Sequence, residues 1–457
     1  MMIDDTIAAI STALGLAGIS IIRISGKNAF QTVEKILQNH KNLSALKTHT
    51  IHYDKIINHK KIVDNVLISI FKEPHSYTGE NVVEISCHGG SYVTQNILKL
   101  ILQNGARLAQ PGEFTKKAFL NGKLDLTEAE AVIDIISAKT KHSHESAINQ
   151  LEGKLSKKIN EILKKIKDVR IQFELNIDFF EEDIQKKEES IILENLYQIK
   201  SELDDLIDKG EKGIFLQQGF TVAIVGEPNA GKSSIFNKLV ENERSIVTEI
   251  PGTTTDYIEE DIALDGYLIK IFDTAGLTKG KTLVESIGIE RSYDIIDKAN
   301  LLLWVHDISE QSRTTSKGRL NKNIRNEIKV KNKDLIEIYN KIDLVSVDKR
   351  KEYEGKLTTN ALTGEGIDKV KQNIVKKIGI SELDLSAGLI SNTRQLAIVN
   401  ISRNSINKAI SSYKNKLGYE FTAFDLQQAS ESLEEVVGKI TNEDMLNTIF
   451  NRFCIGK

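Results

Sequence analysis

A glycine-rich stretch between an apolar run and a helical pattern constrains this chain more than any other feature. Residues 226–234 read Gly-Glu-Pro-Asn-Ala-Gly-Lys-Ser-Ser, which has the spacing G-x-x-x-x-G-K-S of a phosphate-binding loop. Residues 222–225 predict a strand before it, and residues 235–239 predict a helix after it. The two glycines allow a tight wrap whose amides converge on phosphate oxygens at the positive end of the helix. The stretch therefore predicts an α/β nucleotide-binding domain.

The side chains of this loop have predicted roles. Lys232 would bridge the β- and γ-phosphates of the nucleotide, and the Ser233 hydroxyl would ligate Mg²⁺. Asn229 is either a turn former or a neutral ligand for a small cation beside the phosphates. The remaining predicted contacts in the loop are Ala230, Gly231 and Ser234.

Two further stretches stand where a nucleotide hydrolase needs them. After the apolar residues 268–272 comes Asp273-Thr274-Ala275-Gly276, which offers a carboxylate to the outer shell of the metal and a glycine amide to the γ-phosphate. Upstream, residues 252–256 contain threonines that are candidates for the second protein ligand of Mg²⁺. The predicted contacts are Gly252, Thr253, Thr254, Asp273, Thr274, Ala275 and Gly276, with Thr254 on Mg²⁺.

A third stretch predicts the base, because the apolar residues 335–339 end in Asn340-Lys341-Ile342-Asp343. Guanine presents an N–H and an exocyclic NH₂ side by side, so the Asp343 carboxylate can accept both hydrogen bonds. Adenine offers an acceptor and a C–H at those edges and would leave the carboxylate unpaired. The Ala361 amide is expected to reach the oxygen of the base. The predicted nucleotide is therefore GTP.

The residue that orients the attacking water is not in its usual place. Many GTPases have a glutamine directly after the Asp-Thr-Ala-Gly motif, but this chain has Leu277, which cannot hold water. Hydrolysis must therefore be organised by another group. Glu285 is a carboxylate that could hold the water, and the alternative is that it belongs to a solvated helix face.

The composition excludes several classes of protein. The 457 residues include 61 Lys and Arg against 64 Asp and Glu, so no overall positive charge points to nucleic acid, and any RNA contact must be local. Two cysteines are too few for a disulfide framework. The amino terminus has no secretory pattern, and no run approaches the roughly 18 apolar residues of a membrane span. We expect a cytoplasmic protein without a membrane span.

The periodicity of apolar residues predicts a multidomain chain with α+β and α/β parts. Residues 1–119 mix strand and helix signals, which indicates an α+β domain. Residues 120–216 and 380–457 repeat apolar residues every three or four positions, as amphipathic helices do. They predict one all-helical domain into which a P-loop GTPase domain at 217–379 is inserted.

Individual elements follow from the same patterns. Further predicted strands are 19–24, 63–70, 82–86 and 301–305, and predicted helices are 29–37 and 91–103. The helical stripes are Leu155, Ile159, Ile162, Ile166, Val169 and Phe173, then Leu196, Ile199, Leu203, Leu206 and Ile207, then Leu433, Val436, Val437, Ile440, Met445, Leu446 and Ile449.

Four other features each have two readings. Cys87 and His88 are neighbours, but no further Cys or His lies at metal-ligand spacing, so we predict a structural role. The acidic residues 178–183 are either a cation site or a solvated connection, and the basic residues 313–333 are either an RNA contact or an exposed lysine-rich helix. Cys454 is either lipid-modified, which the residues after it disfavour, or a thiol that a short tail delivers to an active site.

With this order of parts, the sequence resembles the MnmE family of tRNA-modifying GTPases, also called TrmE, over essentially its whole length. The resemblance rests on a combination of motifs that other GTPases do not share. They are Asp5-Thr6-Ile7, Arg23-Ile24-Ser25-Gly26, Ser76-Tyr77-Thr78-Gly79-Glu80, His88-Gly89-Gly90, Pro111-Gly112-Glu113-Phe114, Ala118-Phe119-Leu120-Asn121, Lys123-Leu124-Asp125-Leu126, residues 226–234, residues 273–277, Ile287-Gly288-Ile289-Glu290-Arg291 and Cys454-Ile455-Gly456-Lys457.

The resemblance implies a specific reaction. The family works with a FAD-containing partner, MnmG, to install a carboxymethylaminomethyl or aminomethyl group on carbon 5 of the wobble uridine of tRNA. The one-carbon unit comes from tetrahydrofolate, in its 5,10-methylene or 5-formyl form. The resemblance also implies a homodimer through an amino-terminal folate-binding domain, a heterotetramer with MnmG, and GTP hydrolysis that needs Mg²⁺ and is stimulated by K⁺ when two GTPase domains meet.

The resemblance also assigns residues, carried over by motif. The folate contacts fall on Arg23, Glu84, Lys123 and Lys457, a sensible set because folate offers a pterin edge to a carboxylate and carboxylates to cations. The K⁺ ligands fall on Asn229, Thr248, Ile250 and Thr253, where the cation would neutralise charge that develops on the phosphates. The catalytic residues are Glu285, which would orient the water, and Cys454, a catalytic or activating thiol.

Three residues depart from the family pattern. Leu16 and Thr255 stand where arginines are usual, and Asn360 replaces a serine in the loop under the guanine. From the change at Asn360 we expect weak nucleotide binding and fast exchange. The alternative function is a GTPase switch in ribosome assembly, which would have no use for the tail cysteine or the folate residues.

Overall fold

The structure, a computed structural model, describes residues 5–39, 42–178, 186–241, 258–273, 295–309, 333–379 and 389–457. The chain divides into two compact units, each treated separately below. The first unit consists of Met1–Ile133, Gln150–Ile199 and Ile401–Lys457, and the second of Asp134–Asn149 and Lys200–Asn400. Within the described ranges, no helix has the length and apolarity that crossing a membrane requires.

The first unit contains a six-stranded sheet. Its strands are β1 (Ile7–Ile10), β2 (Ala17–Ser25), β3 (Thr50–Asn58), β4 (Lys61–Phe71), β5 (Val82–Gly89) and β6 (Arg107–Leu108). The strand order is β3-β4-β5-β2-β1-β6, and every neighbouring pair is antiparallel except β1 and β6. The second and fifth strands therefore lie side by side in the middle of the sheet.

One face of this sheet is buried because side chains alternate along its strands. On β4, Ile68 is fully buried, whereas its neighbour Leu67 is 46% exposed. Helices α1 (Ala29–Glu34) and α2 (Ser91–Gln103) contribute to the apolar core on the buried side. The other face is more exposed and carries apolar as well as polar side chains, Leu67 among them.

Helices make up most of the remaining chain. After α1 and α2 they are α3 (Glu113–Leu120), α4 (Leu126–Ser137), α5 (Lys141–Leu151), α6 (Lys154–Asp178), α7 (Lys186–Gln218), α8 (Lys232–Glu241), α9 (Val347–Arg350), α10 (Ile367–Ile378), α11 (Thr393–Lys414), α12 (Tyr419–Val437) and α13 (Glu443–Phe450).

The long helix α6 packs along α12 in the first unit. The apolar stripe predicted for α6 is buried from Leu155 to Phe173, and the ring of Phe173 lies edge-on to Tyr413 with centroids 5.3 Å apart. Lys167 and Glu434 form an ion pair of 2.5 Å across the two helices. The predicted stripe is therefore confirmed. Its burial stabilises this helix, because most of the stability of a helix in a protein comes from packing of its apolar face.

The last residues of the chain dock on the beginning of α3. The Phe114 amide donates to the main-chain oxygen of Lys457 at 3.2 Å, and the Ser11 hydroxyl donates to that of Gly456 at 3.1 Å. Just before this tail, Phe453 is buried in a small apolar core with residues of α4 and α13. Main-chain hydrogen bonds and apolar packing thus hold the tail against the amino-terminal part of the first unit.

The second unit contains another six-stranded sheet. Its strands are β7 (Phe220–Gly226), β8 (Ile258–Leu264), β9 (Tyr267–Asp273), β10 (Leu301–Asp307), β11 (Asp334–Asn340) and β12 (Thr358–Thr359). The order is β12-β11-β10-β7-β9-β8, parallel throughout except for the hairpin of β8 and β9. Parallel strands buried on both faces explain the continuous apolar runs of this region. Their carboxyl ends meet at one edge, where ligands bind in open α/β sheets.

The structure confirms the predicted fold class and most of the predicted elements. The strand and helix around the phosphate-binding loop correspond to β7 and α8, and the predicted helix 91–103 is α2. The predicted helix 29–37 is wrong at its end, because α1 stops at Glu34 and Leu37 instead forms a bridge to Ile56. Ile440 is also wrong as a buried helical position: α12 ends before it and the side chain is 44% exposed. The four domain boundaries stay predictions.

The end of α13 leaves no room for a side chain at Gly112. Gly112 has φ of +66°, and a Cβ there would lie 2.6 Å from the main-chain oxygen of Phe450. Gly122 has nearly the same φ, +67°, with nothing within 4 Å of such a Cβ. We expect Gly122→Ala to cost only the left-handed conformation, about 1 kcal/mol, and Gly112→Ala to cost about 1–3 kcal/mol more because of the clash. Thermal unfolding of the full chain measures both, and equal costs would contradict the described packing.

Candidate functional site

The phosphate-binding loop joins β7 to α8 in a conformation that depends on its glycines. The φ angles are +149° at Gly226, +64° at Asn229 and +93° at Gly231. A Cβ on Gly226 would lie 2.3 Å from the main-chain oxygen of Val305 on β10, so no side chain fits there. Asparagine tolerates the left-handed region better than most residues, and such a residue within a turn turns successive amides toward one point. The backbone is therefore shaped for an anion.

Asn340 ties three parts of this site together. Its Nδ2 donates to the main-chain oxygen of Ala230 at 2.8 Å, and its Oδ1 accepts from the Thr359 hydroxyl and the Ala361 amide, each at 3.1 Å. A Cβ on Gly231 would lie 2.1 Å from Nδ2 of Asn340. The second glycine of the loop is therefore required so that this buried amide can approach the loop.

The loop after β12 is held against β11 by a main-chain contact. The Ala361 amide, predicted to reach the guanine oxygen, donates to Asn340 Oδ1 in this structure, and its contact with the base stays a prediction. The amides of Leu362 and Thr363 donate to Asn360 Oδ1 at 3.1 and 3.4 Å. Asn360 thus closes the turn with its own side chain, a common use of asparagine in turns. This departure from the family pattern leaves the loop ordered.

The residues that follow β11 present one exposed carboxylate and one engaged lysine. Asp343 lies in a short 3₁₀ turn with an exposed side chain. Lys341 Nζ donates to Asp307 Oδ2 at 2.8 Å, and Ser309 donates to the same carboxylate through its amide and its hydroxyl. Burial by itself would raise the pKa of Asp307, but the hydrogen bonds from Lys341 and Ser309 outweigh it and lower the pKa.

Lys232 is buried at the start of α8 and bonds back to its own loop. Its Nζ donates to the main-chain oxygens of Gly226 and Glu227, at 3.1 and 2.9 Å. Burial lowers the pKa of Lys232, and the carboxylates of Asp273 and Glu227 act against that shift. Ser233, next in the chain, is exposed. A glycine wrap, a buried lysine and an exposed serine hydroxyl fit a nucleoside triphosphate with its Mg²⁺.

Several predicted residues lie outside the described part of the chain, and their roles stay predictions. They are Thr248, Ile250, Gly252, Thr253, Thr254, Thr255, Thr274, Ala275, Gly276, Leu277 and Glu285, together with most of the acidic residues 178–183 and of the basic residues 313–333.

In the first unit, the structure brings Arg23 and Glu84 together across β2 and β5. Arg23 Nε donates to Glu84 Oε1 at 2.8 Å, and both side chains are less than one-quarter exposed. The guanidinium carbon lies over the rings of Tyr77 and Phe114, at 5.4 and 5.7 Å from their centroids. Burial raises the pKa of the Tyr77 hydroxyl, which is hydrogen-bonded to Thr115 at 2.8 Å. Arg23 is therefore held in place by two aromatic rings and one carboxylate.

The other predicted folate residues are linked to the pair of Arg23 and Glu84 through the residues that contact Arg23. Lys123 is exposed, its Nζ donates to the main-chain oxygen of Pro74 at 3.1 Å, and it lines a groove together with Tyr77. The main-chain oxygen of Lys457 accepts a hydrogen bond from the amide of Phe114, and the ring of Phe114 lies against Arg23. Cys454 is an exposed free thiol in the same tail. A folate could be bound by the paired side chains of Arg23 and Glu84, by the exposed lysine and by the tail that carries the thiol, since cations and hydrogen-bond donors suit its carboxylates.

Cys87 and His88 are described as neighbours with separate environments. Cys87 is buried, and burial raises the pKa of its thiol. His88 is exposed, and its Nδ1 lies 2.6 Å from Asp64 Oδ1, while its amide donates to Asp64 Oδ2. Among the residues that the structure describes, no group of three metal-ligating side chains is found. The described surroundings of Cys87 and His88 therefore do not point to a metal site.

Sequence reasoning missed four residues that shape these sites. Asp307 and Thr359 hold Lys341 and Asn340, while Tyr77 and Phe114 enclose Arg23. Tyr77 and Phe114 stand in motifs that carried the family resemblance, which was the one available signal for them. Asp307 and Thr359 lie at the carboxyl ends of strands next to β11, and only the strand order makes them neighbours.

Comparison with known proteins gives matches over the whole chain. The family described as "GTP-binding protein TrmE N-terminus" matches residues 6–123, and the "MnmE helical domain" matches residues 126–454. The tRNA modification GTPase MnmE of Acetivibrio thermocellus is 39% identical over 463 residues, with 99% of each chain covered. That of Thermoanaerobacter pseudethanolicus is 40% identical over 476 residues, with 100% of each covered.

Solved structures match a smaller part. The G domain of the FeoB iron transporter of T. maritima is 25% identical, covering 34% of this chain and 97% of that chain, with a TM-score of 0.24. A variant of Era from Aquifex aeolicus, bound to GDP and AlF₄⁻, is 24% identical, covering 40% of this chain and 66% of that chain, with a TM-score of 0.27.

The ion pair of Asp307 and Lys341 predicts a pH-dependent stability. The folded protein lowers the pKa of Asp307, so the pair stabilises the fold above the unfolded pKa of about 4 and ceases to do so as the pH falls through the folded pKa. We expect Asp307→Asn to reduce the free energy of unfolding at pH 7 by about 1–2 kcal/mol. In acid, where the wild-type carboxyl is protonated too, the difference should shrink toward zero.

The control for this measurement is Asp334→Asn. Asp334 pairs with Lys377 on the surface, with both side chains roughly half exposed, so its loss should cost less than about 0.5 kcal/mol at either pH. Urea unfolding of both variants at pH 7 and at the lowest pH at which the wild type still folds, well below about 4, makes the comparison. A pH-independent effect of Asp307→Asn would show that the carboxylate charge is not what stabilises the loop.

Proposed function

The chain belongs to the MnmE family of tRNA modification GTPases, also called TrmE, and we propose that it modifies carbon 5 of the tRNA wobble uridine with a tetrahydrofolate one-carbon unit. It is a GTP-binding GTPase of tRNA modification. The proposal adds the group transferred, carboxymethylaminomethyl or aminomethyl, and the partner, an MnmG-type FAD protein in a heterotetramer. The observation that carries it is the docking of the Cys454 tail on α3, whose Phe114 ring lies against Arg23.

The phosphate-binding loop is proposed to hold GTP with hydrogen bonds that replace those of the free protein. Lys232 would exchange two main-chain oxygens for oxygens of the β- and γ-phosphates, so its buried ammonium is satisfied in both states. Ser233 and Thr254 would ligate Mg²⁺, which neutralises charge on the phosphates. The exposed Asp343 would accept both N–H groups of guanine. Asn340 fixes the loops that carry these groups.

Hydrolysis is proposed to depend on K⁺ and on pairing of two GTPase domains in a homodimer. Asn229 would ligate K⁺ together with Thr248, Ile250 and Thr253, and Glu285 would orient the water. What supports the role of Asn229 is its place in the left-handed region at the middle of the loop, with an exposed side chain. A monovalent cation there would offset charge that develops on the phosphates.

Replacing Asn229 by glycine distinguishes the contribution of its side chain from that of its backbone conformation. Because glycine adopts φ of +64° without strain, we expect Asn229→Gly to keep the loop conformation and to remove the side chain, including the amide oxygen proposed as the K⁺ ligand. We expect GTP binding within about threefold of wild type and loss of most of the rate difference between K⁺ and Na⁺ buffers. Phosphate release in the two salts at equal ionic strength measures this. Full K⁺ stimulation in the variant would contradict the assignment.

The folate is proposed to lie along Arg23, Glu84, Lys123 and Lys457. Glu84 offers a carboxylate to the pterin edge, and Arg23 keeps that carboxylate oriented through its hydrogen bond. The guanidinium of Arg23 lies over the two aromatic rings. Lys123 and Lys457 offer cations to the carboxylates at the other end. Bound there, tetrahydrofolate would supply the one-carbon unit. The protein would bind and orient it, with the rings of Tyr77 and Phe114 excluding water from one side.

Cys454 is proposed as the catalytic or activating thiol. The structure describes two cysteines, Cys87 in the core and Cys454 in the exposed tail. The tail that carries Cys454 is anchored by the hydrogen bond from Phe114 to Lys457 and by the one from Ser11 to Gly456. Such anchoring reduces the entropy lost when a flexible tail presents its reactive group.

Replacement of each cysteine by serine tests this role. We expect Cys454→Ser to keep GTP hydrolysis within about twofold and to abolish the 5-substituted wobble uridines, whereas the matched variant Cys87→Ser should keep both. The measurement is mass spectrometry of nucleosides from total tRNA of cells that carry each variant in place of the native chain. Normal nucleosides with Cys454→Ser would refute the assigned thiol. Unchanged nucleosides without the protein would refute the proposed reaction.

A further inference from the structure

An open groove lies beside Tyr77 and Lys123 in the first unit. Its volume is about 490 Å³, and its lining includes Thr48, His49, His75, Ser76, Tyr77 and Lys123. The lysine and both histidines are exposed, and none of the described lining residues is acidic. Ammonium and imidazole N–H groups donate hydrogen bonds to carboxylates. The groove therefore offers donors to an extended anion.

Hydrogen bonds and a ring contact hold the walls of the groove in place. On one side, Lys123 donates to the main-chain oxygen of Pro74, and Ser76 Oγ donates to that of Glu80 at 2.5 Å. On the other, the ring of His49 lies edge-on to Phe71 with centroids 5.3 Å apart. The donors are thus ordered before a ligand arrives, which lowers the entropy lost on binding.

The groove continues from the proposed folate site through one residue. One ring, that of Tyr77, lines the groove and also lies under the guanidinium of Arg23, at 5.4 Å. The carboxylate of Glu80 is engaged by Lys117 at 2.8 Å, and that of Glu84 by Arg23. These acidic groups therefore keep their own cations and do not compete for those of the groove.

We propose that this groove binds the γ-linked glutamyl chain of a folate, and that the protein prefers folates with several glutamates. The inference rests on the proposed folate function and extends the same site. Each added γ-glutamate brings one α-carboxylate and one amide. Lys123 would receive the first carboxylates, and His75 and His49 those that lie farther along. The fit is one of charge and of donors, since a chain of carboxylates meets a lysine and two imidazoles.

The test compares 5-formyl-tetrahydrofolate carrying one glutamate with the form carrying three. Calorimetric titration of the full-length chain should show the triglutamate bound roughly tenfold more tightly, as expected for one or two partly exposed charge-assisted hydrogen bonds. The double variant His49→Asn/His75→Gln should keep the monoglutamate affinity and lose that preference. Asparagine is used at position 49 because its φ is +59°.

The control and the opposing outcomes separate this inference from the function beneath it. His59→Asn, at another residue with positive φ in the hairpin of β3 and β4, should keep the tenfold preference. Equal affinity of the wild type for the two ligands, or an unchanged preference in the double variant, overturns the inference while folate binding stands. Binding of neither ligand refutes the folate function itself, and the inference with it. If the double variant weakens tRNA binding and the wild type shows no glutamate preference, the groove serves RNA phosphates and the inference is wrong.

Discussion

The docking of the last residues on the start of α3 constrains how the first unit can be built. The Phe114 amide bonds to the main-chain oxygen of Lys457, and the Ser11 hydroxyl bonds to that of Gly456. Two glycines allow this packing: a Cβ on Gly112 would strike Phe450 at the end of α13, and one on Gly456 would lie 2.4 Å from the main-chain oxygen of Ile10. Because the tail carries Cys454, the same contact limits where the thiol proposed above could act.

In both candidate sites the buried cations have partners within the protein. Lys232 bonds to carbonyls of its own loop, and Arg23 bonds to Glu84 and lies over two aromatic rings. An unsatisfied buried charge would cost several kcal/mol, so these partners preserve the fold of the free protein. A ligand then exchanges one set of hydrogen bonds for another. Binding of this kind favours specificity, because a molecule that lacks the right groups leaves the charges unpaired.

Local sequence patterns predicted the helices and strands, but they could not predict contacts between segments that are distant in the chain. The phosphate-binding loop, with its strand and helix, is a continuous stretch whose glycines and periodicity can be read directly. Asp307 was missed because its contact with Lys341 depends on the pairing of β10 with β11. Tyr77 and Phe114 were missed as partners of Arg23 because they come from a loop and a helix that only the fold brings together. The contact between the Ala361 amide and the side chain of Asn340 was missed for the same reason.

The central claim is that the tail thiol and the folate residues share one site. The most direct measurement is the rate at which iodoacetamide alkylates Cys454 in the full-length protein, followed by mass spectrometry with and without saturating 5-formyl-tetrahydrofolate. Buried Cys87 serves as the internal reference. The account predicts that the folate slows alkylation of Cys454 severalfold and leaves Cys87 unchanged. An unchanged rate at Cys454, with folate shown to be bound, would contradict it.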